Sequence, residues 1–136
     1  MAFLPIEHGI TNNCLPNLRL IATDMDGTLT QQGKFTAKLF QALEELRAAD
    51  IPVLIVTGRS GGWVSGLVSY LPVVGAIAEN GGIFYSDQNT QPVALTAIPD
   101  LSLHRQQLQV AYQNLKSEFP QIQESSDNRF RITDWT

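Results

Sequence analysis

Two carboxylates, Asp24 and Asp26, follow the first apolar run of the chain and are separated by one residue. In an extended segment, residues i and i+2 project from the same side of the backbone, so the two carboxylates lie close together. Their repulsion falls when a divalent cation binds between them, and hard oxygen ligands with no nearby His or Cys favour magnesium over zinc. An ionised aspartate can attack phosphorus directly, and a second carboxyl group can protonate the leaving oxygen. The pair therefore predicts phosphoryl transfer assisted by Mg²⁺.

Two further polar clusters follow later apolar runs, at residues 57–59 and 79–81. The hydroxyl of Thr57 and neighbouring backbone N–H groups could hold phosphoryl oxygens, and Arg59 offers positive charge beside Gly58. Asn80 lies in the second cluster, next to Glu79, which is more typical of a structural or solvated charge than of a ligand. Together with the aspartates, these clusters predict a site built from three loops.

The elements that would position these loops alternate along the chain. Short apolar runs predict strands, Thr36 is a candidate N-cap for a helix, and Leu39, Leu43 and Leu46 recur at helical spacing. The predicted strands are 18–23, 51–56 and 73–78, and the predicted helices begin at Thr36 and span 60–70. Strand 51–56 is apolar throughout, which is typical of a strand covered on both faces. This alternation predicts an α/β fold with a parallel sheet, whose ligands bind beyond the carboxyl ends of the strands.

The pattern changes after residue 82. Residues 83–86 and 92–97 flank the turn-rich DQNTQ and predict a β-hairpin. Residues 101–119 predict a helix stopped by Pro120, and alternating residues 129–133 predict a strand with one solvated face. The apolar face expected for that helix consists of Leu101, Leu108, Ala111, Tyr112 and Leu115.

Composition limits the possible partners and compartments. The chain is 43% hydrophobic and 16% charged with a net charge of −4, and its nine basic residues form no long run. This balance argues against non-specific binding to nucleic acid or to an anionic membrane. Cys14 is the single cysteine, so no internal disulfide forms, which suits a reducing compartment. With no signal peptide pattern and no apolar run near the roughly 20 residues of a membrane span, we expect a cytoplasmic protein.

Three motifs in order carry a resemblance to a known family. LIATDMDGTLT at 20–30, VTGRS at 56–60 and AENGG at 78–82 resemble those of the haloacid dehalogenase superfamily of phosphohydrolases. AENGG followed by a hairpin is similar to members with a large cap inserted after the third strand, including sugar-phosphate, sucrose-phosphate and mannosyl-phosphoglycerate phosphatases and phosphomannomutase. The resemblance implies a Rossmann-like, three-layer parallel sheet. It divides the chain into an irregular N-terminal extension (1–17), a partial core domain (18–98) and the start of a cap (99–136).

The resemblance also implies roles for individual residues. Asp24 would be the nucleophile and a magnesium ligand, and Asp26 the general acid and base that lends its backbone carbonyl to the metal. Thr57 matches the phosphate-binding hydroxyl. The remaining positions assigned to substrate binding are Gly58, Arg59 and Asn80. The implied substrate is a small phosphorylated metabolite, with a sugar phosphate as the expected class.

The family also needs a later lysine and a later acidic pair, and the sequence departs from it here. After residue 98 the only lysine is Lys116, inside a predicted helix, and neither Asp127 nor Asp134 follows an apolar run. We therefore expect the N-terminal portion of a longer phosphatase, inactive by itself. The missing core strands would leave an apolar sheet edge that self-associates or is covered by a terminal segment of the chain.

Three other functions remain open. The chain could be a non-catalytic fragment or binding module, or part of a phosphomutase, which uses the same aspartate pair. A phospho-accepting receiver domain also has a parallel sheet, but its phosphorylated aspartate usually follows a later strand. Here the second predicted strand ends in Thr57 instead, which disfavours the receiver.

Overall fold

A computed structural model describes residues 18–88 and 91–136. The prediction of an irregular extension at 1–17 lies outside the described residues. The strands are β1 Ile21–Thr23, β2 Val53–Val56, β3 Gly75–Ala78, β4 Ile83–Ser86 and β5 Val93–Ala94, and the α-helices are α1 Ala37–Ala48, α2 Gly61–Tyr70 and α3 Leu101–Glu118. Short 3₁₀ segments occur at Glu79–Gly81 and Asn128–Phe130. None of the helices in the described ranges is long and apolar enough to cross a membrane.

The five strands form one mixed sheet in the order β1-β2-β3-β4-β5. β1, β2 and β3 are parallel, with Ala22 opposite Leu54 and Leu54 opposite Gly75. β4 and β5 continue the sheet in antiparallel pairing. The predicted α/β fold and hairpin are therefore confirmed, and the carboxyl ends of the first three strands meet at one edge of the sheet.

The core forms where the sheet meets α1 and α2. Its buried residues include Leu43 of α1, Val64 and Val68 of α2, and Val53 and Ile55 of β2. These residues are apolar and alternate along β2, as expected for a strand with a covered face. The prediction that β2 is covered on both faces was wrong at its last residue, because Val56 is 39% exposed beside the cavity described below.

All three α-helices of the described chain begin at side-chain caps, and the Asp100 carboxylate caps α3 by accepting from the Leu103 N–H at 2.9 Å. The Thr36 hydroxyl accepts a hydrogen bond from the Leu39 N–H at 3.3 Å, and the Ser60 hydroxyl accepts one from the Trp63 N–H at 3.4 Å. A cap of this kind satisfies one of the free N–H groups at a helix start. The predicted starts of α1 and α2 are thus confirmed, and the cap of α2 fixes the position of the loop after β2.

Helix α3 is present as predicted, and two residues of its predicted apolar face, Leu108 and Tyr112, are half-buried, whereas the others are exposed. None of its residues is fully buried, and Leu101 and Leu115 are 41% and 52% exposed. The half-buried residues are His104, Arg105, Leu108 and Tyr112. This face includes two polar residues that meet backbone carbonyls: the His104 ring contacts the Thr133 carbonyl at 2.9 Å, and Arg105 donates to the carbonyls of Asp134 and Asn128.

The predicted strand at 129–133 was wrong. Residues Asn128–Phe130 form a 3₁₀ turn, and the N–H groups of Ile132 and Thr133 donate to the carboxylate of Glu79 rather than to a neighbouring strand. The prediction placed the polar residues of this segment on the solvated face, but Arg131 and Thr133 are buried. The buried Glu79 carboxylate, and not a neighbouring strand, accepts the backbone hydrogen bonds of this segment.

Candidate active site

A cavity of about 530 Å³ lies beyond the carboxyl ends of β1, β2 and β3. Its lining residues are Ala22, Thr23, Asp24, Val56, Thr57, Gly58 and Asn80. The structure therefore brings together Asp24, Thr57, Gly58 and Asn80 from the predicted site. Asp26 and Arg59 do not line the cavity and instead contact each other.

Asp24 is held by the turn that follows β1. Its Oδ2 accepts a hydrogen bond from the Thr28 hydroxyl at 3.1 Å. The buried Met25 provides a carbonyl that accepts from Thr28, Leu29 and Thr30, and Gly27 has a φ of 83°, which favours glycine. The other oxygen of Asp24, Oδ1, receives no hydrogen bond from any described residue. As far as the described residues go, this oxygen is available to bind a cation or to act as a nucleophile.

Asp26 and Arg59 form a two-point ion pair. Arg59 Nε lies 2.9 Å from Asp26 Oδ2, and Nη2 lies 2.9 Å from Oδ1. The guanidinium also lies 5.6 Å from the ring of Trp63. The hydrogen bond from Arg59 lowers the pKa of Asp26, despite partial burial, and the pKa of Arg59 is raised by the same contact. In this geometry the Asp26 carboxylate can accept a proton but holds none to give.

Thr57 is buried at the end of β2, and its backbone N–H donates to the Ile77 carbonyl at 2.9 Å. Its hydroxyl oxygen accepts a hydrogen bond from the Arg59 N–H at 3.2 Å. No group in ranges 18–88 and 91–136 accepts the Thr57 hydroxyl proton. Because this side chain lines the cavity, that proton is available to an anion bound there.

Asn80 approaches Gly58 across the cavity. Its backbone lies in the left-handed region with φ 55° and ψ 31°, and its Nδ2 donates to Asp134 Oδ2 at 2.7 Å. A Cβ at position 58 would lie 2.9 Å from Asn80 Oδ1. Glycine at position 58 therefore permits the close approach of the loops that follow β2 and β3.

Sequence reasoning missed the contribution of residues 125–136, which we call the C-terminal segment. Arg131 is buried and donates to the Gly58 carbonyl at 2.9 Å. It also donates to both carboxylate oxygens of Asp134, at 2.7 and 2.9 Å, and contacts Asp127 at 3.4 Å. The local signal was the position of the two acids, four residues before and three residues after Arg131. Nothing in the sequence indicated that Arg131 would reach a loop 73 residues away.

Hydrogen bonds to Glu79 hold the C-terminal segment against the end of β3. Its buried carboxylate accepts from the Gly61 N–H at 2.8 Å, the Ile132 N–H at 2.9 Å and the Thr133 hydroxyl at 2.7 Å. Burial raises the pKa of Glu79, but these hydrogen bonds outweigh it and the net pKa is lowered. Glu79 is thus an ionised structural residue rather than a ligand, in line with the sequence analysis.

The metal-binding capacity of the site rests on oxygen atoms. Across the described residues, no three His, Cys, Asp or Glu side chains cluster closely enough to hold a metal by themselves. Asp24 Oδ1 and the backbone carbonyl of Asp26 accept no hydrogen bond from the described chain. Mg²⁺ commonly uses one or two carboxylates, with water and substrate phosphate completing its shell. Both atoms are oxygens, the ligand type that Mg²⁺ prefers.

The sequence model of the haloacid dehalogenase-like hydrolases matches residues 21–134. This match covers most of the chain and includes all six predicted site residues. The chain therefore belongs to the haloacid dehalogenase-like hydrolases.

Similar proteins agree with this family. The chain is 28% identical over 117 residues to a phosphoglycolate phosphatase of Methanothrix thermoacetophila, which covers 86% of the chain and 47% of that protein. A solved phosphatase of the haloalkanoate superfamily from Bacteroides thetaiotaomicron is 25% identical, with a TM-score of 0.54, over 76% of the chain and 36% of that structure. The C-terminal domain of trehalose-6-phosphate phosphatase from C. albicans has the same fold, with 22% identity and a TM-score of 0.65 over 85% of the chain and 42% of that domain. The chain spans less than half the length of each of these proteins.

Proposed function

We propose that this chain provides the phosphoryl-accepting part of a Mg²⁺-dependent phosphatase that acts on a small phosphorylated metabolite. The observation that carries the proposal is that one cavity contains a carboxylate oxygen and a hydroxyl proton that make no hydrogen bond within the described residues. Asp24 Oδ1 accepts no hydrogen bond and the Thr57 hydroxyl donates none among the described residues, and both side chains line the cavity. One group suits attack on phosphorus and the other suits binding of a phosphoryl oxygen.

The proposed reaction has two steps. Asp24 attacks phosphorus, an Asp24 oxygen–phosphorus bond forms, and the bond from phosphorus to the leaving oxygen breaks. Asp26, after it has separated from Arg59 and taken a proton from water, gives that proton to the leaving oxygen, so the product leaves as an alcohol. In the second step water loses a proton to Asp26 and attacks phosphorus, which releases inorganic phosphate and restores the Asp24 carboxylate. When bound, Mg²⁺ supplies positive charge that offsets the negative charge of the phosphoryl oxygens.

This scheme needs Asp26 to change partner. While Arg59 binds both oxygens of Asp26, the carboxyl group stays ionised and cannot act as an acid. Both side chains are nearly half exposed, at 45% and 46%, so their ion pair is weak and can open when substrate enters. The freed Arg59 would then offer its charge to the phosphoryl group.

A small phosphorylated metabolite is the proposed substrate class, with a sugar phosphate as the expected member. The relatives support this class, since one is named for phosphoglycolate and another for trehalose 6-phosphate. A cytoplasmic location stays a prediction from the sequence. The division into a core (18–98) and the start of a cap (99–136) also stays a prediction.

A non-catalytic binding module is the second candidate. One observation favours it: Asp26 is held as a carboxylate by Arg59. A carboxylate held in this way has no proton to give to a leaving oxygen, so it would bind without acting as an acid.

Hydrolysis of p-nitrophenyl phosphate in excess Mg²⁺ separates the two candidates. Turnover that Asp24→Asn abolishes would support the phosphatase. No turnover, with calorimetric binding of inorganic phosphate that Thr57→Val weakens, would support the binding module. A chain that neither turns over the ester nor binds phosphate through Thr57 contradicts both functions.

We also propose that two copies of the chain pair along β1. Only β2 pairs with β1 among the described residues, and the C-terminal segment contacts the loops after β2 and β3 instead. An unpaired strand edge is a template for another strand.

A further inference from the structure

Arg131 and Asp134 connect two loops of the candidate site. Arg131 donates to the Gly58 carbonyl after β2, and Asp134 accepts from the Asn80 amide after β3. The two side chains bind each other at 2.7 and 2.9 Å. Neither side chain lines the cavity, so neither is placed to touch a bound phosphoryl group. We propose that the Arg131–Asp134 pair is a positioning pair that sets the Thr57 hydroxyl for phosphate binding and fixes the Asn80 side chain beside it, an inference that rests on the proposed function.

The contact with Gly58 controls the direction of the Thr57 hydroxyl. A peptide bond is planar, so fixing the Gly58 carbonyl also fixes the N–H of Arg59 on the opposite side of that bond. This N–H donates to the Thr57 hydroxyl oxygen at 3.2 Å. The Thr57 oxygen is therefore used as an acceptor, and its own proton stays available to the cavity. If the 58–59 peptide rotated, Thr57 could lose this hydrogen bond and with it the preferred direction of its proton.

The contact with Asn80 fixes an amide. A carboxylate accepts but does not donate, so Asp134 requires the NH₂ group of Asn80 on its side. The Asn80 carbonyl oxygen then lies towards Gly58, where a Cβ would approach it to 2.9 Å. Asp134 Oδ2 accepts from both Arg131 and Asn80. A movement of Arg131 would therefore shift the loop after β3 through Asp134, and the loop after β2 through the Gly58 carbonyl.

The surroundings of Arg131 make it rigid. The side chain is buried, and its remaining nitrogen contacts Asp127, whose carboxylate accepts from the Ser60 N–H at 3.2 Å. The pKa of Asp127 falls to about 2, because hydrogen bonds from Ser125 and Ser60 and the charge of Arg131 outweigh its burial. The guanidinium fork suits this arrangement, because lysine cannot supply donors in the same fixed plane.

The test compares Arg131→Lys with Arg129→Lys, an exposed arginine of the same segment that pairs with no carboxylate in the described chain. Inorganic phosphate is the probe, and calorimetry with the 136-residue chain in excess Mg²⁺ gives its dissociation constant. We expect Arg131→Lys to raise that constant about tenfold, the usual effect of losing a charge-assisted hydrogen bond, and Arg129→Lys to leave it unchanged. Asp134→Asn should weaken binding in the same direction.

A second readout needs no ligand. In ¹H–¹⁵N spectra of the phosphate-free protein, Arg131→Lys and Asp134→Asn should shift the Arg59 backbone amide and the Asn80 side-chain amide, while Arg129→Lys should not. If Arg131→Lys folds poorly, the spectra of Asp134→Asn still test the positioning role, because that substitution keeps the size of the side chain.

The outcomes separate this inference from the function on which it rests. Wild-type binding that Thr57→Val weakens, with normal binding and unshifted amides in both positioning variants, overturns the positioning role alone. A wild-type chain that binds no phosphate, or binds it equally well as Thr57→Val, overturns the proposed function and the positioning role together.

Discussion

At the residue scale, the ion pair of Arg59 with Asp26 determines which protonation state the site holds before substrate enters. Since Arg59 lowers the pKa of Asp26 below its ordinary value of 3.8, Arg59→Gln should raise that pKa towards 3.8. A ¹³C carboxyl titration by NMR measures the change. Arg129→Gln serves as the control and should leave the Asp26 titration unchanged. An Asp26 pKa that is equal in wild type and Arg59→Gln would show that the pair is not formed in solution.

Single residues of the site could be predicted where local sequence determines them. Asp24, Thr57 and Asn80 each follow an apolar run, and parallel strands bring such positions to one edge of the sheet. Arg131 could not be predicted, because its contact with Gly58 joins positions 73 residues apart and leaves no local pattern. Asp26 and Arg59 were predicted as site residues, but their mutual ion pair also depends on a tertiary contact.

At the element scale, the close packing of the C-terminal segment on the loop before β4 is sensitive to a single methyl group. A Cβ at Gly82 would lie 1.9 Å from the Thr133 hydroxyl oxygen and 2.7 Å from the Thr133 Cβ. Gly82→Ala should therefore destabilise the protein by about 2 kcal/mol in urea unfolding, as expected for overpacking. It should also separate the C-terminal segment from Glu79, whose carboxylate binds Thr133.

Gly66 in α2 provides the matched control. Its position is exposed, and a Cβ there meets no atom within 4 Å. Gly66→Ala should stabilise the protein by about 0.5–1 kcal/mol, because glycine loses more conformational freedom in a helix than alanine does. Equal effects of the two substitutions would contradict the packing described for Gly82.

The elements that could be predicted are those whose ends and apolar residues are visible in the local sequence. α1 and α2 begin at caps that the sequence displays, and β1, β2 and β3 are short apolar runs bounded by polar residues. The strand expected at 129–133 failed because a buried carboxylate, Glu79, takes the N–H groups that a neighbouring strand would bind. The face expected for α3 was wrong in part for a related reason, since that helix also packs against backbone carbonyls through His104 and Arg105.

At the scale of the whole molecule, two ionised carboxylates should make the fold sensitive to acid. The pKa of Glu79 is lowered from 4.5 and that of Asp127 from 3.8 to about 2. A lowered pKa in the folded state contributes stability above the unfolded value that is lost as pH falls through the folded value. The free energy of unfolding should thus fall between pH 4.5 and 2, as measured by urea titration at several pH values.

Substitution of Glu79 tests which group carries this dependence. Glu79→Gln should lower stability at neutral pH by about 2 kcal/mol, because an amide nitrogen would face the N–H donors of the C-terminal segment. It should also reduce the loss of unfolding free energy between pH 4.5 and 2. Glu118→Gln, at the exposed end of α3, should change neither. An unchanged loss in Glu79→Gln would show that other carboxylates control acid unfolding.

The edge of β1 that pairs with no strand in ranges 18–88 and 91–136 leads to a prediction about assembly. The Ile21 N–H donates to the Pro52 carbonyl, so the N–H of the following residue, Ala22, points away from β2. Leu20, just before β1, is 42% exposed, so within the described part of the chain this edge offers an unused backbone donor beside apolar surface. We expect wild-type protein to dimerise with rising concentration in sedimentation velocity, and Leu20→Lys to weaken the dimer because an edge lysine blocks strand pairing. Val93→Lys, on the short opposite edge strand β5, should not. A protein that stays monomeric at all concentrations, or that Val93→Lys affects as strongly as Leu20→Lys, contradicts pairing through β1.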